Sequence, residues 1–333
     1  MKAIIPVAGA GTRLRPLTYT QPKALIPVAG KPLLEYLIEQ LQDIGVDEFI
    51  FVIGYLGDKI EDYVKSKHSN LKAHFAVQAH REGLGHAIWT AKEFVTGNEE
   101  IIILLGDTII DADFKKALES DYSTLAVRKV DDPRHFGVAE FDGHGFIDRV
   151  VEKPLFPKSN MALVGFYRIK ESEALFKALD ELMKEKKQGE EIQLTDALMK
   201  MIEAGIKFTG FRVNNWFDLG KREILLETNA TMLKKPGVAS KNLPPYDNTI
   251  IIHPVHIGRG TKINNSIIGP NVTIGENSEI NYSILKNSVI GNFTRLDQVI
   301  LSNSIIGSDA SVKGLSQSLN IGDNTEIDLS GAD

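Results

Sequence analysis

Four short apolar runs open the chain, at 2–7, 48–53, 73–78 and 101–105. Each is rich in β-branched residues and nearly continuous, the pattern of strands buried on both faces. Between them lie stretches of helical period. Leu33, Leu34, Leu37, Leu41 and Ile44 mark one apolar face, and Gly45 supplies a stop. Ala87, Ile88, Ala91, Phe94 and Val95 mark a second, closed by Gly97. Strands alternating with helices predict an α/β domain with a doubly wound, mixed but mainly parallel sheet and its sites at strand C-terminal ends. Beyond Leu125 the pattern becomes mixed, with strands expected near 136–140, 146–151, 163–169 and 207–213 and helices near 171–187 and 195–204. That half is expected to complete the sheet and to build a second substrate pocket.

A helix over 222–233 leads into KKPGVASKNLPP, whose Pro, Gly and Ser content reads as a linker over 234–245. The chain then changes character. Ile-Gly pairs recur at Ile257-Gly258, Ile268-Gly269, Ile274-Gly275, Ile290-Gly291, Ile306-Gly307 and Ile321-Gly322, while Ile263, Ile280, Leu296, Val312 and Ile327 fill six-residue steps. An aliphatic every six residues, followed by glycine and small polar turn formers, places one side chain per face into a narrow prism. This is the hexapeptide signature of a small parallel β-helix. Some steps are five residues long, which makes the coils about four or five in number. The expected organisation is a domain over 1–233, the linker, and a β-helix over 246–333.

Composition narrows the partners. At 333 residues the chain exceeds what one compact core usually holds, in keeping with two domains. With 43% hydrophobic and 25% charged residues, it has the make-up of an ordinary soluble globular protein. Its formal charge of −6, from 38 basic and 44 acidic side chains, argues against a nucleic-acid or membrane-surface role. Any phosphate must therefore be bound by a local cationic pocket. The lack of cysteine excludes disulfides, thiolate metal sites and a cysteine nucleophile. No signal-peptide pattern and no apolar run near the ~20 residues of a membrane span is visible, so cytoplasmic residence is the expectation.

The most informative stretch runs from Gly9 to Pro27, GAGTRLRPLTYTQPKALIP. A strand feeds a glycine-rich turn that can close backbone N–H groups on an anion, and Arg13, Arg15 and Lys23 can grip the same charge from the side. It matches neither G-x-x-x-x-G-K-[ST] nor the dinucleotide fingerprint, whose third glycine is missing. The segment resembles the signature loop of the sugar-1-phosphate nucleotidyltransferases, G-x-G-T-R-L-x-P-x-T…P-K-x-L-x-P-V. The resemblance spans nearly the whole chain and looks most like the long, hexapeptide-tailed form of glucose-1-phosphate thymidylyltransferases. It implies a Rossmann-like nucleotidyltransferase fold followed by a left-handed β-helix.

Further elements fit the same pattern. Gly106-Asp107 ends an apolar strand, which taken alone reads equally as a turn cap; the resemblance makes Asp107 a Mg²⁺ ligand together with Asp218 of Trp216-Phe217-Asp218-Leu219-Gly220. It assigns Ala8, Gly9, Gly11, Thr12 and Arg13 to the nucleotide, with Gln78 and Gly83 at the base. Lys153 of Glu152-Lys153-Pro154 is assigned to the incoming sugar phosphate, and Glu152, Gly137 and Gly165 to the sugar. By themselves Glu152-Lys153 reads as a solvated pair, and the two glycines as bulges or close strand contacts. The catalytic set implied is Arg13, Lys23, Asp107, Lys153 and Asp218. A nucleoside triphosphate and a sugar 1-phosphate are the implied partners, and a homo-oligomer is expected.

Departures from that pattern leave the base and sugar open. Ala8 stands where thymidylyltransferases have a further glycine, Thr108 follows Asp107 where they commonly have asparagine, and His80-Arg81-Glu82 is unusually charged. The segment at 189–196 lacks the arginine expected at its start, for which Lys186 or Lys187 is the candidate substitute. His253 and His256, ahead of the β-helix, read as capping or interface residues, the alternative being an acyl-transfer base.

Overall fold

The apolar runs near the N-terminus fold as the parallel half of one sheet, Lys2–Pro6 (β1), Glu48–Ile53 (β2), Lys72–Val77 (β3) and Ile101–Leu104 (β4). They belong to a computed structural model that describes residues 1–314. Alternate residues of these strands point to opposite faces, and each face has its own helices. Ala3, Ile5, Phe49 and Phe51 pack with Leu34, Leu37 and Leu41 of Leu33–Gln42 (α1) and with Ile60 and Val64 of Gly57–Lys67 (α2). On the other face Ile4, Ile50, Val52 and Ile103 pack with Ala87 and Ile88 of Leu84–Thr90 (α3), Leu175 and Leu179 of Ser172–Glu185 (α4), and Leu198 and Met201 of Leu194–Glu203 (α5). The sheet is therefore doubly wound, and its central strands are apolar on both sides because both sides are covered.

Besides a two-residue pair at Pro27–Val28 and Lys31–Pro32, the remaining strands of this unit are Thr108–Asp111 (β5), Ser123–Lys129 (β6), Gly137–Phe141 (β7), Phe146–Glu152 (β8), Met161–Ile169 (β9), Phe208–Arg212 (β10) and Asn215–Asp218 (β11). Among the described residues nine strands form the main sheet, in the order β3-β2-β1-β4-β9-β6-β10-β8-β7. Strand β9 enters antiparallel to both β4 and β6, and β7 returns to pair with the start of β9 at Met161↔Ala139. The ladders of the second half thus close on themselves. β5 and β11 form a separate antiparallel ribbon, Asp218 opposite Thr108 and Trp216 opposite Ile110. A last helix, Arg222–Leu233 (α6), coincides with the span predicted from the sequence.

Contacts separate the chain between Ala239 and Ser240. In the second unit, three stacks of short parallel strands are laid down in turn, each four strands deep among the described residues. Ile263, Ile280, Leu296 and Val312 lie in register in one stack, the first three of them buried. Each such isoleucine contributes about 1.5–3 kcal/mol by leaving water. Successive partners are 17, 16 and 16 residues apart rather than three full sixes, which reflects the five-residue steps visible in the sequence. Corners at Asn265, Asn271, Asn277 and Asn287 take positive φ, a conformation asparagine tolerates better than most residues. These stacks are consistent with the left-handed hexapeptide β-helix expected. Ile321-Gly322 and Ile327 lie outside the described residues.

Several elements have no counterpart among those predicted. α2 buries only Gly57, Ile60 and Val64 of its 11 residues, which gives a faint helical period. β6 opens on Ser123 and Thr124, buried polar residues that break an apolar run. β5 and β11 form only because each supplies the other's hydrogen bonds across a long sequence separation.

At the end of β4 the backbone turns under β1. The Gly106 N–H donates to the Pro6 carbonyl at 3.3 Å, and a Cβ on Gly106 would meet that oxygen at 2.6 Å and collide with the Val7 side chain. Gly106→Ala is expected to destabilise the protein by about 1–3 kcal/mol through this overpacking. Urea denaturation checks it, and an unchanged midpoint would remove the steric reason for glycine here.

Candidate active site

The glycine-rich turn after β1 is shaped by what packs beneath it. Gly11 has φ +58°, and a Cβ there would meet Thr18 Cγ2 at 2.9 Å and Lys23 Cβ at 3.1 Å. The buried Thr18 hydroxyl donates to the Gly11 carbonyl at 2.8 Å. The loop therefore folds back on itself and sets the root of Lys23 against the Gly11 backbone. Gly9 differs, since a Cβ there would meet nothing within 4 Å. The fold does not require glycine at that position; the open space above it belongs to a cavity.

That cavity encloses about 550 Å³. Ala8, Gly9, Gly11, Thr12, Arg13 and Lys23 form one wall. Asp107 and Asp218 enter from the ends of β4 and β11. Lys23 Nζ lies 2.8 Å from Asp107 Oδ2 and 4.0 Å from Asp218 Oδ1, so one ammonium serves two carboxylates. The backbone ties the pair together, the Leu219 N–H donating to the Asp107 carbonyl at 3.0 Å. Thr108 Oγ1 donates to Asp107 Oδ1 at 3.2 Å, and the Gly220 N–H donates to Asp218 Oδ1 at 3.1 Å.

Electrostatics here are unbalanced. Burial pushes the Asp218 carboxyl above the ordinary aspartate value, and the neighbouring Asp107 adds to it; Lys23, the Gly220 N–H and Arg13 oppose the rise without cancelling it. Two carboxylates over one lysine form a donor set short of positive charge. Mg²⁺ is commonly held by one or two carboxylates, with phosphate and water oxygens completing its octahedron, and Asp107 with Asp218 fits that demand. No larger group of His, Cys, Asp or Glu placed to hold a metal occurs among the described residues.

The far wall is built on the turn from β3 into α3. Gln78 follows β3 directly, its N–H donating to the Ile53 carbonyl at 2.8 Å. Its Nε2 donates to the Gly83 carbonyl at 3.1 Å and lies 3.1 Å from His86 Nδ1. Gly83 packs on the Ile192 backbone, whose nitrogen a Cβ would meet at 2.8 Å. Both Gln78 and Gly83 line the cavity. So do Arg81 and Glu191, which the sequence reading left without a role; the run of charge at 80–82 was the one signal pointing to the first.

Gly137, Glu152, Lys153 and Gly165 do not line this cavity. They lie on or beside the second half of the sheet. A Cβ on Gly137 would meet Glu152 Oε2 at 3.2 Å, and Thr195 Oγ1 donates to that oxygen at 3.3 Å. Gly165 marks a β-bulge in β9, with φ +94° and a register shift between Leu163 and Tyr167. Lys153 has φ +41°, an uncommon conformation outside glycine, and its exposed ammonium sits 3.4 Å from Glu152 Oε1. Asp196, near Glu152, is pushed up mainly by lost solvation and then by that charge. Tyr167 on β9 joins the two groups, because both Glu152 and Asp107 act on its buried hydroxyl and reinforce the rise that burial causes. Lys186 sits 2.7 Å from Glu82 Oε2. In the second unit, His253 is exposed and His256 is half-buried in register with Thr273.

Sequence and structure comparisons show the family to which the chain belongs. The family model described as nucleotidyl transferase matches residues 2–235. A low-salt glycan biosynthesis nucleotidyltransferase, Agl11 of Haloferax volcanii, is 34% identical over 258 residues, covering 75% of this chain and 71% of its own. Glucose-1-phosphate thymidylyltransferase of Streptomyces griseus is 29% identical over 361 residues, covering 99% and 100%. The chain spans only 55% of the length of another relative, the bifunctional protein GlmU of Methanocaldococcus jannaschii, at 38% identity over 71% of this chain. A UDP-glucose pyrophosphorylase solved with UDP-glucose superposes with a TM-score of 0.59 at 29% identity, covering 69% of this chain and 97% of that one. The chain belongs to the nucleotidyl transferase family. No helix among the described residues is long and apolar enough to cross a membrane.

A carboxyl whose value is raised by folding opposes folding wherever it is ionised, and this penalty disappears below its unfolded value. Asp218→Asn is therefore expected to raise Tm at neutral pH, with the gain shrinking as pH falls toward 3.8, the ordinary aspartate value. Thermal melts of both proteins across that range check it; a variant less stable than wild type at pH 7 contradicts the charge imbalance.

Proposed function

We propose that the chain catalyses nucleotidyl transfer from a nucleoside triphosphate to a sugar 1-phosphate, releasing pyrophosphate and forming a nucleotide sugar. The observation that carries this reading is the convergence of Lys23, Asp107 and Asp218 within a few ångströms, at the mouth of a cavity walled by a glycine-rich turn. A phosphate oxygen of the sugar 1-phosphate attacks the α-phosphorus, a new P–O bond forms, and the bond to the β-phosphate oxygen breaks. The nucleophile is already an anion at neutral pH, so no general base is needed. Catalysis reduces to aligning two polyanions and offsetting charge as it moves to the leaving group.

The residues divide accordingly. The backbone of Ala8, Gly9, Gly11 and Thr12 cradles the triphosphate, with space for it above Gly9. Arg13 holds the β- and γ-phosphates, and Lys23 holds the α-phosphate as charge develops there. Gln78 and Gly83 take the base, Gly137, Glu152 and Gly165 the sugar, and Lys153 the attacking phosphate. Asp107 and Asp218 would hold Mg²⁺, which when bound supplies positive charge to phosphate oxygens. When no such cation is present, Lys23 offsets part of the charge of the two carboxylates, and a phosphate arriving at the same ammonium competes with them. We assign catalysis to residues 1–233, and to the β-helix an oligomerising or regulatory role. Among substrates we favour dTTP with glucose 1-phosphate, with UTP the alternative that the Pro6-Val7-Ala8-Gly9 form of the loop supports.

A panel of triphosphates against glucose, mannose and N-acetylglucosamine 1-phosphates, scored by pyrophosphate release with Mg²⁺, tests the reading. Pyrophosphate release from dTTP or UTP with glucose 1-phosphate is expected, and silence across the whole panel would overturn it. Lys23→Ala and Asp107→Ala are each expected to lower kcat about 10²-fold or more, the scale of losing an electrostatic stabiliser. Wild-type turnover in either variant contradicts the assigned role.

A further inference from the structure

Gln78 carries a primary amide, and an amide can offer a base either a donor or an acceptor. Here the choice is already made. The Gly83 carbonyl can only accept, so the amide edge facing it at 3.1 Å has to be Nε2. The second hydrogen of the same nitrogen is directed to His86 Nδ1, also at 3.1 Å. With both donors committed, Oε1 is the polar atom that Gln78 has left for the cavity it lines.

His86 is built to hold that arrangement. Its ring is buried and stacks on Trp89 with 6.0 Å between centroids. Because Gln78 Nε2 can only donate, its contact with Nδ1 makes Nδ1 the lone pair and puts the imidazole proton on Nε2. Burial, the largest influence, holds the ring below its ordinary value. Glu82 opposes this from 3.9 Å, but its charge is shared with Lys186 at 2.7 Å. The imidazole is thereby kept neutral near pH 7, in the tautomer that accepts from Gln78.

Resting on the nucleotide reading above, we propose that His86 is a positioning residue for base selection: by accepting the second Nε2 hydrogen of Gln78 it works with the Gly83 carbonyl to hold Gln78 Oε1 toward the base. The site then favours a pyrimidine whose N3 carries a hydrogen, uracil or thymine, over cytosine, whose N3 is a lone pair that would face another lone pair. Steric fit cannot make this distinction, since the rings have the same size.

The test compares kcat/KM for UTP and CTP with one sugar 1-phosphate in wild type, His86→Phe and His86→Asn. Phenylalanine keeps the ring and its stacking but removes the acceptor; asparagine places Oδ1 near the position of Nδ1. Wild type is expected to prefer UTP by more than about tenfold, and H86F to lose about five- to tenfold of that preference, the scale of one hydrogen bond. The loss should fall on KM for UTP more than on kcat, and H86N should retain the wild-type ratio. Nucleotide-induced shifts in Tm give a second readout that does not depend on turnover. An undiminished UTP preference in folded H86F overturns the inference. If H86F does not fold, H86N still decides, because lost discrimination with the acceptor in place would overturn it equally. Failure of wild type to turn over or bind any nucleotide would instead defeat the functional reading, a distinguishable result.

Discussion

One ammonium between two carboxylates organises the cavity that the glycine-rich turn walls. Lys23 comes from a loop after the first strand, Asp107 from the end of β4, and Asp218 from a short ribbon that exists only because β11 pairs with β5. Three distant stretches of chain thus meet at one charge. Burial raises the Asp218 carboxyl and the adjacent Asp107 adds to the rise, an environment suited to a further cation. A polyphosphate bound as proposed would bring negative charge to the same lysine, so polyanion and divalent cation would complete each other's requirements here. An acidic protein can bind a polyanion in this way, because a local cluster, and not the net charge of −6, sets the field at the site.

Positioning comes from backbone fit more than from side-chain contacts. Gly106 lets β4 turn directly beneath β1, and Gly11 lets the loop fold onto Thr18 and Lys23; either would be obstructed by a single methyl group. Gly9 is the informative contrast, since its missing side chain makes room for nothing in the protein itself. The strands below are buried on both faces and packed by helices from each side. Residues at their ends inherit that rigidity, which suits a site that works by alignment.

How much of this was legible in the sequence depended on range. β1, β2 and β4 were visible as apolar runs, because strands covered on both faces have no polar alternation to confuse the reading. The hexapeptide period was visible because every coil repeats the same packing demand on its neighbours. β5, β6 and β11 were not, because their stability comes from partners far along the chain and not from local pattern. The same holds for the site. The glycine turn and Lys23 form a local motif, whereas nothing in composition or periodicity brings Asp218 to Asp107, and that pairing was anticipated only through resemblance to a family. Arg81 and Glu191 reach the cavity because Gly83 and Gly85 pack against the Ile192 backbone, a contact between segments more than a hundred residues apart that no local pattern encodes.

The inserted strand β9 decides how the two halves of the site communicate. It runs antiparallel between β4, which ends at the cavity holding Asp107, and β6, which belongs to the second half of the sheet; its own start pairs with β7, where Gly137 lies. Its bulge at Gly165 shifts the register midway, and Leu105, which would meet any Cβ placed there, receives the Gly165 carbonyl as the acceptor for its own N–H at 2.9 Å. Two residues further on, Tyr167 is buried where the charges of Asp107 and Glu152 both act on it. The wall between the two groups of site residues is therefore a single strand with a fixed kink. A slip of β9 by one residue would turn Tyr167 to the opposite face and break both alignments at once. The distance between the two proposed substrate pockets is thus set by sheet register and not by a flexible hinge, which is what an in-line transfer between two bound anions requires.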